Sequence, residues 1–105
     1  MKMIKAIIRP EKEFDVIRGL ERKGFYSHTK LDVLGRGRQK GVRVGGATYD
    51  ELAKLMLIIV AEDADAPKVI KIIREYARTG NFGDGKIFVS DVKEAYTIRT
   101  GKNSL

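Results

Sequence analysis

The stretch Arg78-Thr79-Gly80-Asn81-Phe82-Gly83-Asp84-Gly85-Lys86-Ile87-Phe88-Val89 leads from a helical pattern into an apolar strand. Its glycines permit positive φ, so backbone N–H groups can line a concave surface that binds anions. Lys86 adds a positive charge where a phosphate would lie. The stretch is not the G-x-x-x-x-G-K-[ST] phosphate loop, because Ile87 follows the lysine and the glycine spacing differs. Two interpretations stay open: an anion cradle, or a helix C-cap at Gly80 followed by a tight turn.

Hydrophobic periodicity on the N-terminal side of this loop predicts the other elements. Strands are predicted at residues 1–9, 29–34, 54–61 and 86–90. One helix opens at Pro10 and ends before Gly24, a favourable residue just after a helix. The second begins near Asp65 and Pro67 and stops at Gly80. Residues 36–46 are rich in glycine and basic residues, which predicts a loop.

The resulting order, βαββαβ, predicts an α+β fold of the ferredoxin-like type. In it both helices cover one face of an antiparallel four-stranded sheet. The 105 residues form one domain. The other face of the sheet needs a cover, and self-association is the simplest one.

Composition narrows the possible functions. The net charge of +7, from 21 basic and 14 acidic residues, favours anionic partners. The absence of cysteine excludes disulfides and thiolate-bound zinc and fits a cytoplasmic location. A single histidine, His28, excludes a multi-histidine metal site within one subunit. Lys2 and Lys5 interrupt the N-terminal apolar run, so no signal peptide is expected, and no apolar run is long enough to span a bilayer.

Four blocks of the sequence resemble the PII nitrogen-regulatory proteins. Residues 78–86 resemble the nucleotide-binding B-loop, residues 1–10 the first strand, residues 35–41 the base of the T-loop, and residues 98–101 the C-loop. The resemblance covers essentially the whole chain in order. It places the T-loop at about 36–53, the B-loop at about 78–86 and the C-loop at about 97–102. It also implies a trimer whose three sheets pack inward.

The resemblance implies that ATP or ADP binds between neighbouring subunits. Glycines of the B-loop and Lys86 would hold the phosphates, Thr79 and Gly80 would shape the turn, and Arg99 would reach across the subunit boundary. The implied nucleotide-binding residues are Ile7, Thr29, Gly35, Arg38, Val60, Thr79, Gly83, Gly85, Lys86 and Arg99. Without the resemblance, Ile7 and Val60 would be interpreted as core residues.

The resemblance also implies a site for 2-oxoglutarate. Gln39 would hold Mg2+ shared with the nucleotide phosphates, and backbone N–H groups near Gly41 would bind one carboxylate. Lys54 would neutralise the other end of the acid, with Arg9 as a second carboxylate partner. Because nucleotide and metal form part of this site, the two ligands should bind cooperatively. Judged by its residue type alone, Lys54 would be an ordinary strand-edge lysine facing water.

Three departures point to a subfamily. Thr97 stands where the family often has arginine, which leaves open the preference between ATP and ADP. The T-loop is shorter than usual, and its one tyrosine, Tyr49, lies too near the returning strand to match the nucleotidylated tyrosine. With the end at Leu105, these features resemble the nitrogenase-associated PII proteins of archaea and some anaerobes. The resemblance implies that such proteins dock on nitrogenase and block it, as a homotrimer or as a mixed trimer with a second PII-like chain. It also implies that 2-oxoglutarate releases this block.

Two other functions compete with a signalling role. Arg36-Gly37-Arg38 and the weak likeness of residues 85–89 to an RNA-binding strand motif suggest a basic nucleic-acid-binding module, although only Phe88 supplies an aromatic ring there. A hydrolase would need a base beside the phosphates. Asp84 is the nearest acidic residue, but it is expected to brace the turn, and His28 is a surface or packing residue. The chain is therefore predicted not to be an enzyme.

Overall fold

The computed structural model describes residues 1–36, 42–44, 47–49 and 51–105. The strands are Lys2–Ile8 (β1), Thr29–Gly35 (β2), Val42–Val44 (β3), Ala47–Tyr49 (β4), Leu52–Ala61 (β5) and Gly85–Asp91 (β6). The helices are Glu13–Arg22 (α1), which follows a 3-10 turn at Pro10–Lys12, and Ala66–Ala77 (α2). No helix of the described residues is long and apolar enough to cross a membrane.

Four strands form one sheet in the order β2-β5-β1-β6, and every neighbouring pair is antiparallel. With α1 and α2 this gives the predicted α+β, ferredoxin-like arrangement. Pairing between β1 and β6 sets Ile8 opposite Gly85 and Ile7 opposite Lys86. The glycine-rich loop therefore enters the sheet beside the end of β1.

The core lies between the sheet and the two helices. Side chains alternate between the faces of a strand, so every second residue of the central strands β1 and β5 points to the helices. Burial of these apolar side chains supplies the main favourable term in folding. The buried apolar residues are Ile4, Ala6, Ile8, Val16, Leu20, Leu55, Leu57, Ile59, Ala61, Ala66, Val69, Ile72, Ile73 and Ala77.

The opposite face of the sheet has no element of its own chain across it among the described residues. We call it the open face. Ile7, Met56 and Ile58 lie on it half-buried, while Leu31 and Phe88 are exposed there. The prediction that one face of the sheet needs a cover is consistent with this apolar surface.

Three details differ from the sequence prediction. The segment 36–46 is not all loop, because Val42–Val44 is a strand that pairs with Ala47–Tyr49. α2 ends at Ala77, before Gly80. Asp65 stands at the start of α2 without capping it by a side-chain hydrogen bond, although a proline does occupy the first turn as predicted. Gly24, with φ of 86°, follows α1 as expected.

Candidate ligand-binding site

The loop between α2 and β6 is organised around the carboxylate of Asp84. It accepts hydrogen bonds from the backbone N–H of Thr79 and of Gly80, both at 2.9 Å, and from the Thr79 hydroxyl. Arg9 Nε, at the end of β1, donates to the same carboxylate over 3.1 Å. Asp84 thus holds the two ends of the loop together and joins them to the sheet.

These donors also fix the charge of Asp84. The hydroxyl of Thr79, helped by the two backbone N–H groups and Arg9, holds the pKa of the Asp84 carboxyl well below its usual range. The group is therefore an anion at any physiological pH. Its hydrogen bonds to the loop and to Arg9 confirm the expectation that it braces the turn.

Two glycines give the loop its path. Gly85 has φ of 108°, and a Cβ added to it would lie 1.7 Å from the carbonyl oxygen of Ile7. No residue with a side chain fits there without moving the β1–β6 pair. Gly83 has φ of 96°, and a Cβ on it would meet Arg9 Nη2 at 3.4 Å and Lys54 Nζ at 3.5 Å. Glycine at this position leaves room for two cationic head groups.

Arg9 and Lys54 converge on the loop from the sheet. Arg9 Nη2 donates to the carbonyl of Phe82 over 2.8 Å, and Lys54 Nζ donates to the carbonyl of Gly83. Lys54 is only 8% exposed and lies on the central strand β5. The interpretation of Lys54 as a strand-edge lysine facing water is therefore wrong. Burial, together with the charge of Arg9, lowers its pKa.

These two contacts orient the peptide groups of the loop. In a planar trans peptide the N–H points away from the C=O. Because the carbonyls of Phe82 and Gly83 point to the cations, the N–H groups of Gly83 and Asp84 point to the opposite side. Among the described residues neither N–H has a hydrogen-bond acceptor. The loop therefore has a carbonyl side that faces cations and an N–H side that can bind an anion.

Several other predicted residues lie beside this loop. Lys86 is exposed on the open face, opposite Ile7. Gly35, opposite Leu52, lies against the stem of Lys54, since a Cβ on Gly35 would be 3.1 Å from Lys54 Cγ. Ile7 is half-buried on the open face, so its interpretation as a core residue is wrong. One end of the open face thus collects a large part of the predicted site.

Thr29, Val60 and Arg99 lie elsewhere in the protomer. Thr29 pairs with Ile58, and Val60 pairs with Met3, so both are displaced along the sheet from Lys54. At about 3.3 Å per residue, the displacement from Lys54 is on the order of 13–20 Å. Val60 too is on the open face, half-buried, rather than in the core. Arg99 is exposed in the segment that follows the far end of β6.

Within one protomer, the residues of the predicted site therefore fall into two separate groups. Thr79 belongs to the loop, where its hydroxyl and N–H are engaged by Asp84. Arg38, Gln39 and Gly41 lie outside the described residues. Tyr49 is the last residue of β4. That it does not correspond to the nucleotidylated tyrosine of the family stays a prediction. No group of three or more His, Asp or Glu side chains that would hold a metal occurs in the described parts of the chain.

Comparison with known proteins identifies the family of the chain. The family model for Nitrogen regulatory protein P-II matches residues 1–102. The chain belongs to the P-II family. The P-II assignment from the four motif blocks is thus confirmed, and the family is one of nitrogen regulatory proteins.

The similar P-II relatives come from methanogenic archaea. A protein of Methanosarcina barkeri named Nitrogen fixation nifHD1 region GlnB-like protein 1 is 56% identical over 105 residues, all of both chains. A nifHD region GlnB-like protein 1 of Methanothermobacter marburgensis is 53% identical, also over all of both chains. Nitrogen regulatory protein P-II 1 of Methanothermobacter thermautotrophicus is 47% identical, over 98% of this chain and 93% of its own.

The sequence prediction missed how the loop is held. Arg9 was expected to bind a carboxylate, yet it also clamps Asp84 and the Phe82 carbonyl. The sequence pattern indicates the contact between Arg9 and Asp84, because Arg9 directly follows β1 and Asp84 directly precedes Gly85, which pairs with Ile8. An arginine and an aspartate at adjoining strand ends are expected to meet.

Proposed function

We propose that this P-II protein binds adenine nucleotide and 2-oxoglutarate and thereby controls a target of nitrogen metabolism. The observation that carries the proposal is the two-sided loop at Gly83. Its N–H groups face one way and its carbonyls face Arg9 and Lys54. Two anionic ligands can therefore bind on opposite sides of a single peptide segment.

The phosphates of ATP or ADP would occupy the N–H side. The N–H groups of Gly83 and Asp84 donate to them, and Lys86 adds a charge-assisted bond. Arg38 and Arg99 are the further cations that the family resemblance assigns. Thr97 stands in place of a further arginine, so the phosphates would have one cationic contact fewer than in family members that carry it.

The separation of the site residues supports a shared pocket. Ile7 and Gly35 lie near the loop, whereas Thr29, Val60 and Arg99 lie away from it along the sheet or beyond. We infer that the nucleotide touches one group in one protomer and the other group in the neighbouring protomer. A trimer with open faces turned inward would bring them together and would bury the apolar surface of Met56 and Ile58.

The 2-oxo acid would occupy the cation side. Its carboxylates would bind the ammonium of Lys54 and the guanidinium of Arg9, and the N–H groups near Gly41 would complete the site. Gln39 would hold Mg2+, which would supply positive charge between the two anionic ligands. Because one loop touches both ligands, occupation of either side pre-orients the other, which gives positive coupling.

The output would pass through the segment between β2 and β5, which contains the β3–β4 hairpin. The names of the relatives, from nitrogen-fixation gene regions, support a target in nitrogen fixation, and we propose nitrogenase itself. The active form would be a homotrimer or a mixed trimer with a second P-II chain. A cytoplasmic location accords with a sequence without cysteine.

The protein would act as a regulator and not as an enzyme. Asp84 is the acidic side chain closest to the proposed phosphates, and its donors keep it engaged. A basic nucleic-acid-binding module is not favoured, because Phe88 is the one aromatic side chain on the described open face and base stacking needs more. Binding of RNA that weakens with salt and ignores ATP would favour that module.

Isothermal titration calorimetry with 2-oxoglutarate, with and without Mg-ATP, tests the proposal. We expect measurable binding only when Mg-ATP is present. Lys54→Met should weaken 2-oxoglutarate binding by about 10- to 100-fold, since it removes a hydrogen bond to a charged group. It should weaken Mg-ATP binding by a smaller factor, since Lys54 contacts the loop and not the proposed phosphates. Lys93→Met, at an exposed position after β6, is the matched control. Binding that is indifferent to Mg-ATP would refute the coupled site.

A further inference from the structure

A row of four basic side chains follows the exposed face of α2 and continues just past its end; they are Lys68, Lys71, Arg74 and Arg78. Their spacing of three or four residues places them on one side of the helix. Lys23, from the turn after α1, adds to the row, because it lines the same groove as Lys68 and Lys71. We call this surface the α2 cationic track; its members are Lys23, Lys68, Lys71, Arg74 and Arg78.

The track is continuous from the first turn of α2 to the ligand loop. One groove is lined by Lys23, Lys68 and Lys71, and the next is lined by Lys71, Arg74 and Arg78. From Lys68 to Ala77 the helix runs about 14 Å, and Arg78 follows it with extended backbone. The last member of the track directly precedes Thr79, the residue that binds the Asp84 carboxylate.

Helix stability does not account for the whole track. Basic side chains near a helix C-terminus interact favourably with the helix dipole, which explains Arg74. Lys68 lies in the first turn, where a cation is unfavourable, and that turn contains no acidic residue. Lys68 is 3.7 Å from Asp65, whereas Lys71, Arg74 and Arg78 have no ion pair with any described residue.

The charge pattern indicates the class of partner. Two carboxylates, of Asp65 and Glu75, are interspersed among the five cations. They would repel a uniformly charged phosphate backbone, but they can match basic groups on a folded protein surface. In the part of the chain that the structure describes, the two grooves along the track have no fully exposed aromatic ring to stack on bases, and the exposed ring of Phe82 lies only at its far end. A second copy of the chain is a poor partner for the track, since its 14 acidic residues are outnumbered by 21 basic ones.

The far end of the track offers an anchor of another kind. Phe82 is 85% exposed and lines a groove together with Arg78. Arginine and aromatic side chains are the residue types that contribute most to protein interfaces. A protein that lies along α2 would therefore reach the ligand loop at its end.

We propose that the α2 cationic track docks an acidic face of the regulated protein, separately from the T-loop. This inference rests on the proposed function, since it assumes a protein target. It adds that the target touches α2 and the outer side of the loop at Phe82. Ligands that alter this loop would then alter the end of the docking surface.

Fluorescence anisotropy with a labelled peptide of Glu-Glu-Lys repeats, which places basic groups among the acidic ones, tests the track, and a labelled DNA duplex is the comparison. The variant Lys68→Glu/Lys71→Glu reverses two exposed cations in the groove that is away from Gly85 and Lys86. The control Arg18→Glu/Lys93→Glu makes the same charge change elsewhere. We expect the first variant to weaken peptide binding about tenfold or more, because two ion pairs become repulsive, and the control to weaken it much less.

Three results would overturn the inference. Both variants could weaken peptide binding equally, the unaltered protein could fail to bind the peptide, or the same residues could bind DNA more tightly than the peptide. Lys68→Gln/Lys71→Gln should show an intermediate loss and guards against a folding defect, which circular dichroism checks. Calorimetry of Mg-ATP binding to each variant separates the two proposals. Unchanged nucleotide binding together with lost peptide binding supports the track. Failure of the unaltered protein to bind nucleotide counts against the proposed function alone.

Discussion

Arg9 Nε donates to Asp84 Oδ1 over 3.1 Å, and both side chains are 23% exposed. This contact ties the end of β1 to the loop that precedes β6. Because Arg9 also holds the Phe82 carbonyl, the same side chain fixes the direction of the loop peptides. The arginine is therefore a positioning residue for the N–H side of the loop as well as a proposed carboxylate ligand.

Asp84→Asn tests whether the carboxylate holds the loop. The amide keeps one acceptor oxygen but turns an NH2 group toward donors, so we expect a loss of about 1–2 kcal/mol in the free energy of unfolding. Urea denaturation followed by circular dichroism measures it. Asp91→Asn is the control, because Asp91 pairs with Lys2 at an exposed site and should change stability little. Equal effects of the two substitutions would contradict the bracing role.

The pH dependence of stability follows from the same residue. The pKa of Asp84 is lower in the folded protein than in the unfolded chain, where it is about 3.9. Its contribution is therefore fully present above that value and is lost as the pH falls below it. The free energy of unfolding should decline more steeply in the unaltered protein than in Asp84→Asn between about pH 5 and about pH 2. Parallel curves would show that Asp84 is not linked to folding.

A pair of glycine substitutions tests the contact between the loop and β1. Gly85→Ala places a Cβ 1.7 Å from the Ile7 carbonyl oxygen, and we expect it to cost roughly 3 kcal/mol or more, or to prevent folding. Gly80→Ala also has positive φ, 89°, but its Cβ meets nothing within 4 Å. It should cost only the backbone term of about 1–2 kcal/mol. Thermal and urea denaturation compare them, and similar losses would contradict the steric explanation.

Assembly through the open face is tested by Ile58→Asp. A carboxylate on this apolar surface cannot be buried without a partner, so we expect the variant to be monomeric and the unaltered protein to be trimeric. Leu34→Asp, at a residue that is exposed off the open face, is the control and should leave the trimer intact. Sedimentation velocity measures the mass of each. A trimeric Ile58→Asp protein would exclude the inward-facing sheets.

The sequence predicted the elements and their order because each depends on local periodicity. The alternation in β1 and the apolar run in β5 identified central strands, and Gly24 marked the end of α1 correctly. The end of α2 was misplaced because Gly80 looks like a helix cap. In the structure its N–H binds Asp84, whose own position depends on Arg9 at the other end of the chain.

The environment of Lys54 shows a second limit of sequence reasoning. A lysine at the start of an apolar run carries no sign of burial. It is buried because Gly35 lies across its stem and Gly83 covers its head group, and both contacts depend on strand register. The β3–β4 hairpin was missed for a similar reason, since Val42–Val44 is too short to show alternation among glycines.

The close fit of Gly85 against Ile7 has a consequence for how this loop tolerates change. The root of the loop is locked to the sheet, so insertions and bulky residues there would pull the edge strand out of register. Asn81 and Phe82, at its tip, are exposed, so the size of their side chains is not restricted in this way. Variation that retunes recognition of a new target can therefore accumulate at the tip while the root keeps its shape.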